Sequence, residues 1–254
     1  MGDRSAEADM VNVYPESPKV IPLMLQRWDE ITFFHWSCDP AVLKQRLPDQ
    51  LQVDTYGGKG WISLTPFVLK GLRPPVVPKA LGLTCPETNL RTYVIGPEGP
   101  AIWFFSLDAA KLVAVAGARM TFGLPYFWSD MHVEAASTEN FYFSNRGGRA
   151  QTRIRIAKEG RIIEQSPLDI FLTARFRLYS KIRRQLVTAE VEHPPWQLHR
   201  ARILQFEENV RTAMRVEFPS MDFLIHHSPG VDTKIGFPRR CYAASSSSDS
   251  VLRA

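Results

Sequence analysis

Apolar and polar positions alternate with a period of two along most of this chain, which predicts strands. Residues 30–38 (EITFFHWSC) are rich in aromatic and β-branched side chains. Residues 51–56 (LQVDTY), a Gly-Gly turn and residues 60–72 (GWISLTPFVLKGL) read as a hairpin. Residues 89–96 (NLRTYVIG) and 100–109 (PAIWFFSLDA) flank the turn Pro97-Glu98-Gly99 as another. Three strands follow at 130–137, 139–146 and 150–157; in the last, Arg153 and Arg155 alternate with Ile154 and Ile156, leaving one face wet. Residues 177–193 read as two strands, and residues 222–238 as strand, turn, strand.

Four segments change period. Residues 39–48 (DPAVLKQRLP) open with an Asp cap and a Pro at the first helical position. Residues 166–176 (SPLDIFLTARF) carry a similar cap, and residues 197–214 (QLHRARILQFEENVRTAM) read as a helix. Residues 109–122 (AAKLVAVAGARMTF) are apolar almost all round, which predicts a buried helix. The sum is one α+β domain over residues 21–240: a strongly curved antiparallel sheet or barrel with a few packed helices. Residues 1–20 read as a disordered leader and the Ser-rich residues 241–254 as a disordered tail. The Pro-rich residues 72–88 are apolar enough for an ordered loop over a pocket mouth.

Composition narrows the partners. A chain of 254 residues, 44% hydrophobic, can bury one large core or two small ones. Its 31 basic and 26 acidic side chains leave a mild excess of +5. The one dense basic cluster is residues 175–185 (RFRLYSKIRRQ). On a strand, Arg175, Arg177 and Tyr179 share one face while Phe176 and Leu178 share the other, the pattern of a one-sided wet sheet. No nucleic-acid partner is expected. Cys38, Cys85 and Cys241 are too scattered for a disulfide framework or a structural zinc. The start lacks the features of a secretory signal, and no apolar run is long enough for a membrane span, so the expectation is cytoplasmic, with no membrane partner. A homo-oligomer is left open. No phosphate-binding glycine motif and no metal-ligand spacing is present, so no cofactor and no metal are expected; His226 and His227 are adjacent and point to opposite faces of a strand.

Candidate chemistry concentrates around residues 87–94 (ETNLRTYV). On a strand, Glu87, Asn89, Arg91 and Tyr93 share one strongly polar face. Either it walls a pocket, with Glu87 as acid or base and Arg91 as an anion clamp, or it is a Glu–Arg ion pair on a solvated face. Ser106 and Asp108 share a face; Asp108 stands where a helix cap is wanted, and Ser106 lacks a nucleophile elbow. His35 faces the interior on strand alternation, whereas His193, before Pro-Pro-Trp, suggests a structural turn.

Residues 33–67, 86–94, 102–131, 168–179 and 191–198 together resemble the YqjF-like family, a bacterial group designated a domain of unknown function. The most specific pieces are NLRTYV, FFSLDA and HPPW. That family is distantly similar to acetoacetate decarboxylase, which implies a curved barrel-like β scaffold with a pocket in its middle. The decarboxylase pattern has an early Arg, a Glu leading into a strand, a Gly-Arg-Glu helix end, and an x-Pro-Lys-Lys segment whose first Lys forms a Schiff base. Here Arg27, Glu87 and Arg119 match the first three, and Ser63 stands where a second acid is expected. Tyr126 and Phe127 replace the two lysines, and a phenol cannot form an imine, so Schiff-base chemistry would need Lys111 or Lys70 to reach the pocket.

The resulting expectation is a pocket for an anionic or carbonyl-bearing metabolite, working without a Schiff-base lysine. Glu87, Tyr126 and Arg119 are the catalytic candidates; Arg27, Arg91, Tyr93, Ser106 and His35 are the substrate-binding candidates. The alternative is a non-catalytic ligand-binding or structural β-domain in which Tyr126 and Trp128 fill space.

Overall fold

In the computed structural model, residues 20–216 and 223–241 are described. The expected leader, Val20 apart, and the expected tail, Cys241 apart, lie outside them.

The first half of the chain supplies β1 (Pro22–Cys38), α1 (Pro40–Lys44), β2 (Gln52–Val53), β3 (Gly60–Arg73), β4 (Leu83–Gly96), β5 (Gly99–Ala109), α2 (Leu112–Phe122) and β6 (Tyr126–Trp128). The second half supplies β7 (Asp130–Ala135), β8 (Glu139–Asn145), β9 (Gln151–Arg161), α3 (Pro167–Thr173), β10 (Arg177–Ile182), β11 (Gln185–Glu192), β12 (His199–Glu208), α4 (Val210–Ala213), β13 (Leu224–Gly236) and β14 (Arg239–Arg240).

Seven strands close a ring in the order β11–β10–β5–β4–β3–β1–β13, because β13 also pairs with β11 through Val191–Ile235 and Glu192–Lys234. The other strands β12, β9, β8 and β7 continue outward from β13 as a wing. Tyr142, Ile154 and Ile156 of the wing pack with Phe34, Trp36, Leu64 and Leu90 of the ring into one buried core. The inside of the ring belongs to other residues, among them Phe33, Phe67 and Trp196. Each central strand is therefore buried on both faces, one against the wing and one toward the ring interior.

The sheet is mixed rather than purely antiparallel: β5 runs parallel to both β10 and β6. Four sequence expectations are corrected. Residues 197–214 form β12 and the short α4 instead of one helix, because Ala201, Ile203 and Phe206 point alternately into the wing core once β12 pairs with β9. Residues 222–238 hold one long strand, not two: Gly230, at φ +116, takes up the Pro-Gly irregularity hard against the Trp28 carbonyl, where a Cβ would lie 2.1 Å away. β2 pairs with β4 rather than with β3. Helix α2 is not buried: Val113 is 68% and Met120 78% exposed. Its apolar composition serves an inner face that roofs a cavity.

Candidate functional site

The ring surrounds a part-open cavity of about 370 Å³. Strand β4 directs Glu87, Asn89 and Arg91 into it, while the intervening Leu90 packs in the wing core. On β5 the alternation slips: Leu90 pairs with Ser106 and Arg91 with Phe104, so Phe105 is the extra residue of a bulge. Phe104 and Leu107 thus both line the cavity, and Ser106 and Asp108 turn to the outer side.

Glu87 is only 4% exposed, and the Tyr126 hydroxyl donates to its Oε1 at 3.0 Å. Burial pushes the Glu87 carboxyl up to about 8; the Tyr126 hydrogen bond opposes this and the charge of Asp108 adds to it. Burial and the neighbouring Glu87 likewise hold the Tyr126 phenol well above its ordinary range. At neutral pH the pair is therefore a carboxylic acid beside a phenol, two groups that both carry protons.

Arg91 is 6% exposed, and its guanidinium lies 5.3 Å from the centre of the Phe33 ring. Its Nε has no hydrogen-bond partner, and among the described residues it pairs with no carboxylate. Burial holds the guanidinium below its ordinary value, Tyr93 acts against that, and Arg175 acts with it. Phe34 pairs with Leu64 and Leu64 with Leu90, which sets Phe33 at the level of Asn89. Glu87 and Arg91 stand four residues apart on the inward face of β4. Asn89 between them has an Oδ1 with no partner. A buried cation without an anion is costly, and a bound anion would relieve that cost.

Tyr126 owes its place to the turn before it. Helix α2 ends at Gly123, left-handed at φ +63, whose N–H donates to the Arg119 carbonyl at 3.1 Å. A Cβ there would fall 2.2 Å from the Lys181 carbonyl oxygen, so only glycine lets the turn dock on β10. Tyr126 then enters the sheet opposite Leu107.

The remaining candidates lie elsewhere. Arg119 is exposed and donates through Nε to the Tyr126 carbonyl at 2.7 Å, bracing the turn from outside the cavity. Arg27 pairs with Asp29 at 2.9 Å in a separate surface groove, where Lys70 also pairs with Asp29. Lys111 stands exposed before α2, and among the described residues no lysine lines the cavity. Tyr93 and His35 are fully buried beyond the cavity wall, where Ser63 joins them: His35 Nδ1 lies 2.6 Å from Ser63 Oγ, which lies 2.6 Å from the Tyr93 hydroxyl. Tyr93 also donates to the Leu172 carbonyl. Ser106 accepts from Arg146 at 2.5 Å. Asp108 is not a helix cap, because β5 runs on to Ala109 and α2 begins only at Leu112; its carboxylate instead pairs with Arg146, whose guanidinium sits 3.7 Å from the Phe127 ring centre.

Several lining groups were not among the candidates. Arg175 and Arg177 are not on a wet face; they reach the cavity wall, Arg175 paired with Asp54 at 2.5 Å and Arg177 donating to the Glu98 carbonyl. His193 lines the cavity as well as bonding Pro194, and burial lowers its imidazole to about 4, leaving it neutral. Trp196 of the same Pro-Pro-Trp segment stacks on Trp28, their ring centres 6.0 Å apart, and closes one side. No signal in β10 distinguishes an inward arginine from a solvated one; the strand alternation is the same. Among the described residues no group of three or more His, Cys, Asp or Glu side chains is arranged to hold a metal ion.

A family described as an uncharacterized conserved protein, DUF2071, matches residues 25–232. The uncharacterized protein YqjF of Bacillus subtilis (strain 168) is 38% identical over 222 residues, covering 85% of this chain and 91% of that protein. Among solved structures, the enduracididine biosynthesis enzyme MppR complexed with pyruvate matches with a TM-score of 0.65 at 12% identity, over 90% of this chain and 94% of that one. Acetoacetate decarboxylase from Legionella pneumophila matches with a TM-score of 0.61 at 10% identity, over 95% of this chain and 98% of that one. The fold is thus acetoacetate decarboxylase-like.

Proposed function

The chain belongs to the DUF2071 family, and on that premise we propose that its ring cavity is an enzyme site for a small carboxylate bearing a carbonyl group. The observation that carries this reading is the coexistence in one cavity of a buried guanidinium, Arg91, that pairs with no carboxylate among the described residues, and a protonated acid–phenol pair, Glu87 and Tyr126. Arg91 accepts the substrate carboxylate as the counter-ion it lacks. Glu87, holding its proton to about pH 8, gives it to the carbonyl oxygen, and the carboxylate left behind removes a proton from the α-carbon, so the oxo acid becomes its enol and Glu87 is protonated again. The reverse path returns a solvent-exchanged proton to that carbon. Tyr126 donates to the Glu87 carboxylate once that proton has left, and Asn89 orients the substrate between acid and clamp. No imine is involved, since Tyr126 stands where the decarboxylase pattern has its lysine.

MppR, whose fold this chain shares, was solved with pyruvate bound, a carboxylate next to a carbonyl. That supports the substrate class and leaves the reaction to the residues of this chain. The test is α-proton exchange of small oxo acids in D₂O, followed by NMR, alongside thermal shift. Exchange with the wild type should fall by roughly 10²-fold or more in Glu87→Gln while the thermal shift persists, and both should vanish in Arg91→Met. Binding with no exchange returns the non-catalytic alternative. A ligand indifferent to both substitutions places the site elsewhere.

A further inference from the structure

Arg91 and Glu87 account for only one side of the cavity. Of the seven ring strands, β4 alone turns a row of polar side chains inward. The other six each present apolar surface there: Trp28 from β1, Leu69 from β3, Phe104 from β5, Leu178 from β10, Val191 from β11 and Ile235 from β13. At about 30 Å³ per atom, the share of a water in the liquid, a three-carbon oxo acid of six non-hydrogen atoms takes at most about half of such a cavity. Most of the remaining lining is hydrocarbon; among the polar exceptions, Arg175 and Arg177 are already engaged by Asp54 and the Glu98 carbonyl, and His193 by Pro194.

We infer that the ligand is one-ended: a carboxylate and carbonyl head against β4, and a hydrocarbon or aryl body against the opposite wall. This rests on the head-group reading above and extends it to the substrate class, a medium-chain or aryl oxo acid rather than a three- or four-carbon one. The roof gives an independent handle. Gly117 of α2 lines the cavity, and a Cβ built on it meets nothing within 4 Å. Its φ is ordinary for a helix, so a larger residue fits the backbone and improves helix propensity while occupying the void.

The probes are straight-chain 2-oxo acids from pyruvate to 2-oxooctanoate, with 2-octanone as the uncharged analogue, measured by calorimetry on wild type, Gly117→Leu and Arg91→Met. Wild-type affinity should rise about three- to fourfold per methylene until the cavity is full. Gly117→Leu should bind pyruvate within about twofold of wild type and lose tenfold or more for 2-oxooctanoate. Arg91→Met should lose all the acids. A flat dependence on chain length, or an unchanged dependence in Gly117→Leu, overturns the apolar body and leaves the head intact. Length-dependent binding of ketones with no binding of any acid overturns the head-group reading instead. The wild-type series reads the result even if Gly117→Leu fails to fold.

Discussion

The two faces of the β4–β5 hairpin carry buried charge in opposite ways. On the outer face Asp108 is matched by Arg146, Ser106 is engaged by the same guanidinium, and Phe127 lies against it. On the inner face, one residue along, Glu87 is kept neutral and Arg91 has no anion among the described residues. Burial is similar on the two sides, so the difference is not one of depth. Charge that maintains the fold is closed within the chain. On β4 the charge that faces the void is incomplete until something enters, whereas Arg175 at the same wall is already paired with Asp54, and that incompleteness marks the site better than polarity does.

Substitutions can break this contrast, beginning with the largest effect. Arg146→Met strands a buried carboxylate on the outer face and should cost about 3–5 kcal/mol in urea unfolding. Glu87→Gln should change the pH dependence of stability. Glu87 keeps its proton up to about pH 8 when folded, against an ordinary value of 4.5, so its contribution is fully present below pH 4.5 and is lost as pH rises to 8. At about 1.4 kcal/mol per pH unit, the wild type should lose between about 2 and 3 kcal/mol from pH 5 to pH 7 that Glu87→Gln does not. Arg91→Met, by contrast with Arg146→Met, should stay within about 1 kcal/mol of wild type or gain stability, since it removes an unpaired buried cation. Smallest of all, Arg27→Met should shift stability by less than about 0.5 kcal/mol and leave ligand binding unchanged, its ion pair being partly exposed. An equal loss in Arg91→Met and Arg146→Met would erase the distinction between the faces.

The polar row of β4 was legible because strand alternation is local: Glu87, Asn89 and Arg91 share a face whatever the strand packs against. What the alternation could not say is which face is wet. Arg175 and Arg177 repeat the same pattern at and just before the start of β10, yet Arg175 meets Asp54 from a distant turn and both reach the cavity wall. The β5 bulge also defeats a strict count of two, sending Phe104 and Leu107 to one side. Segment 197–214 failed for a related reason: helix-forming residues were overridden by a free edge of β9 that only the folded wing offers. The hollow under α2 is equally nonlocal, since a helix apolar all round reads as buried whether it meets side chains or space. Arg119 matched a family position by sequence while its side chain turned outward to brace the turn.

The ring closes through strands far apart in sequence: β13 lies between β1 and β11, and its contact with β11 is two residue pairs long. Such contacts are slow to form, because a long loop must be immobilised before any of them can stabilise it. During synthesis the β4 row emerges early, but the chamber that gives Arg91 and Glu87 their properties has no walls until β13 has been made and has inserted beside β1. Ligand binding would therefore register completion of the chain. A ribosome-bound intermediate ending before residue 224 would carry every named residue of the polar row and still have nowhere for a ligand to sit.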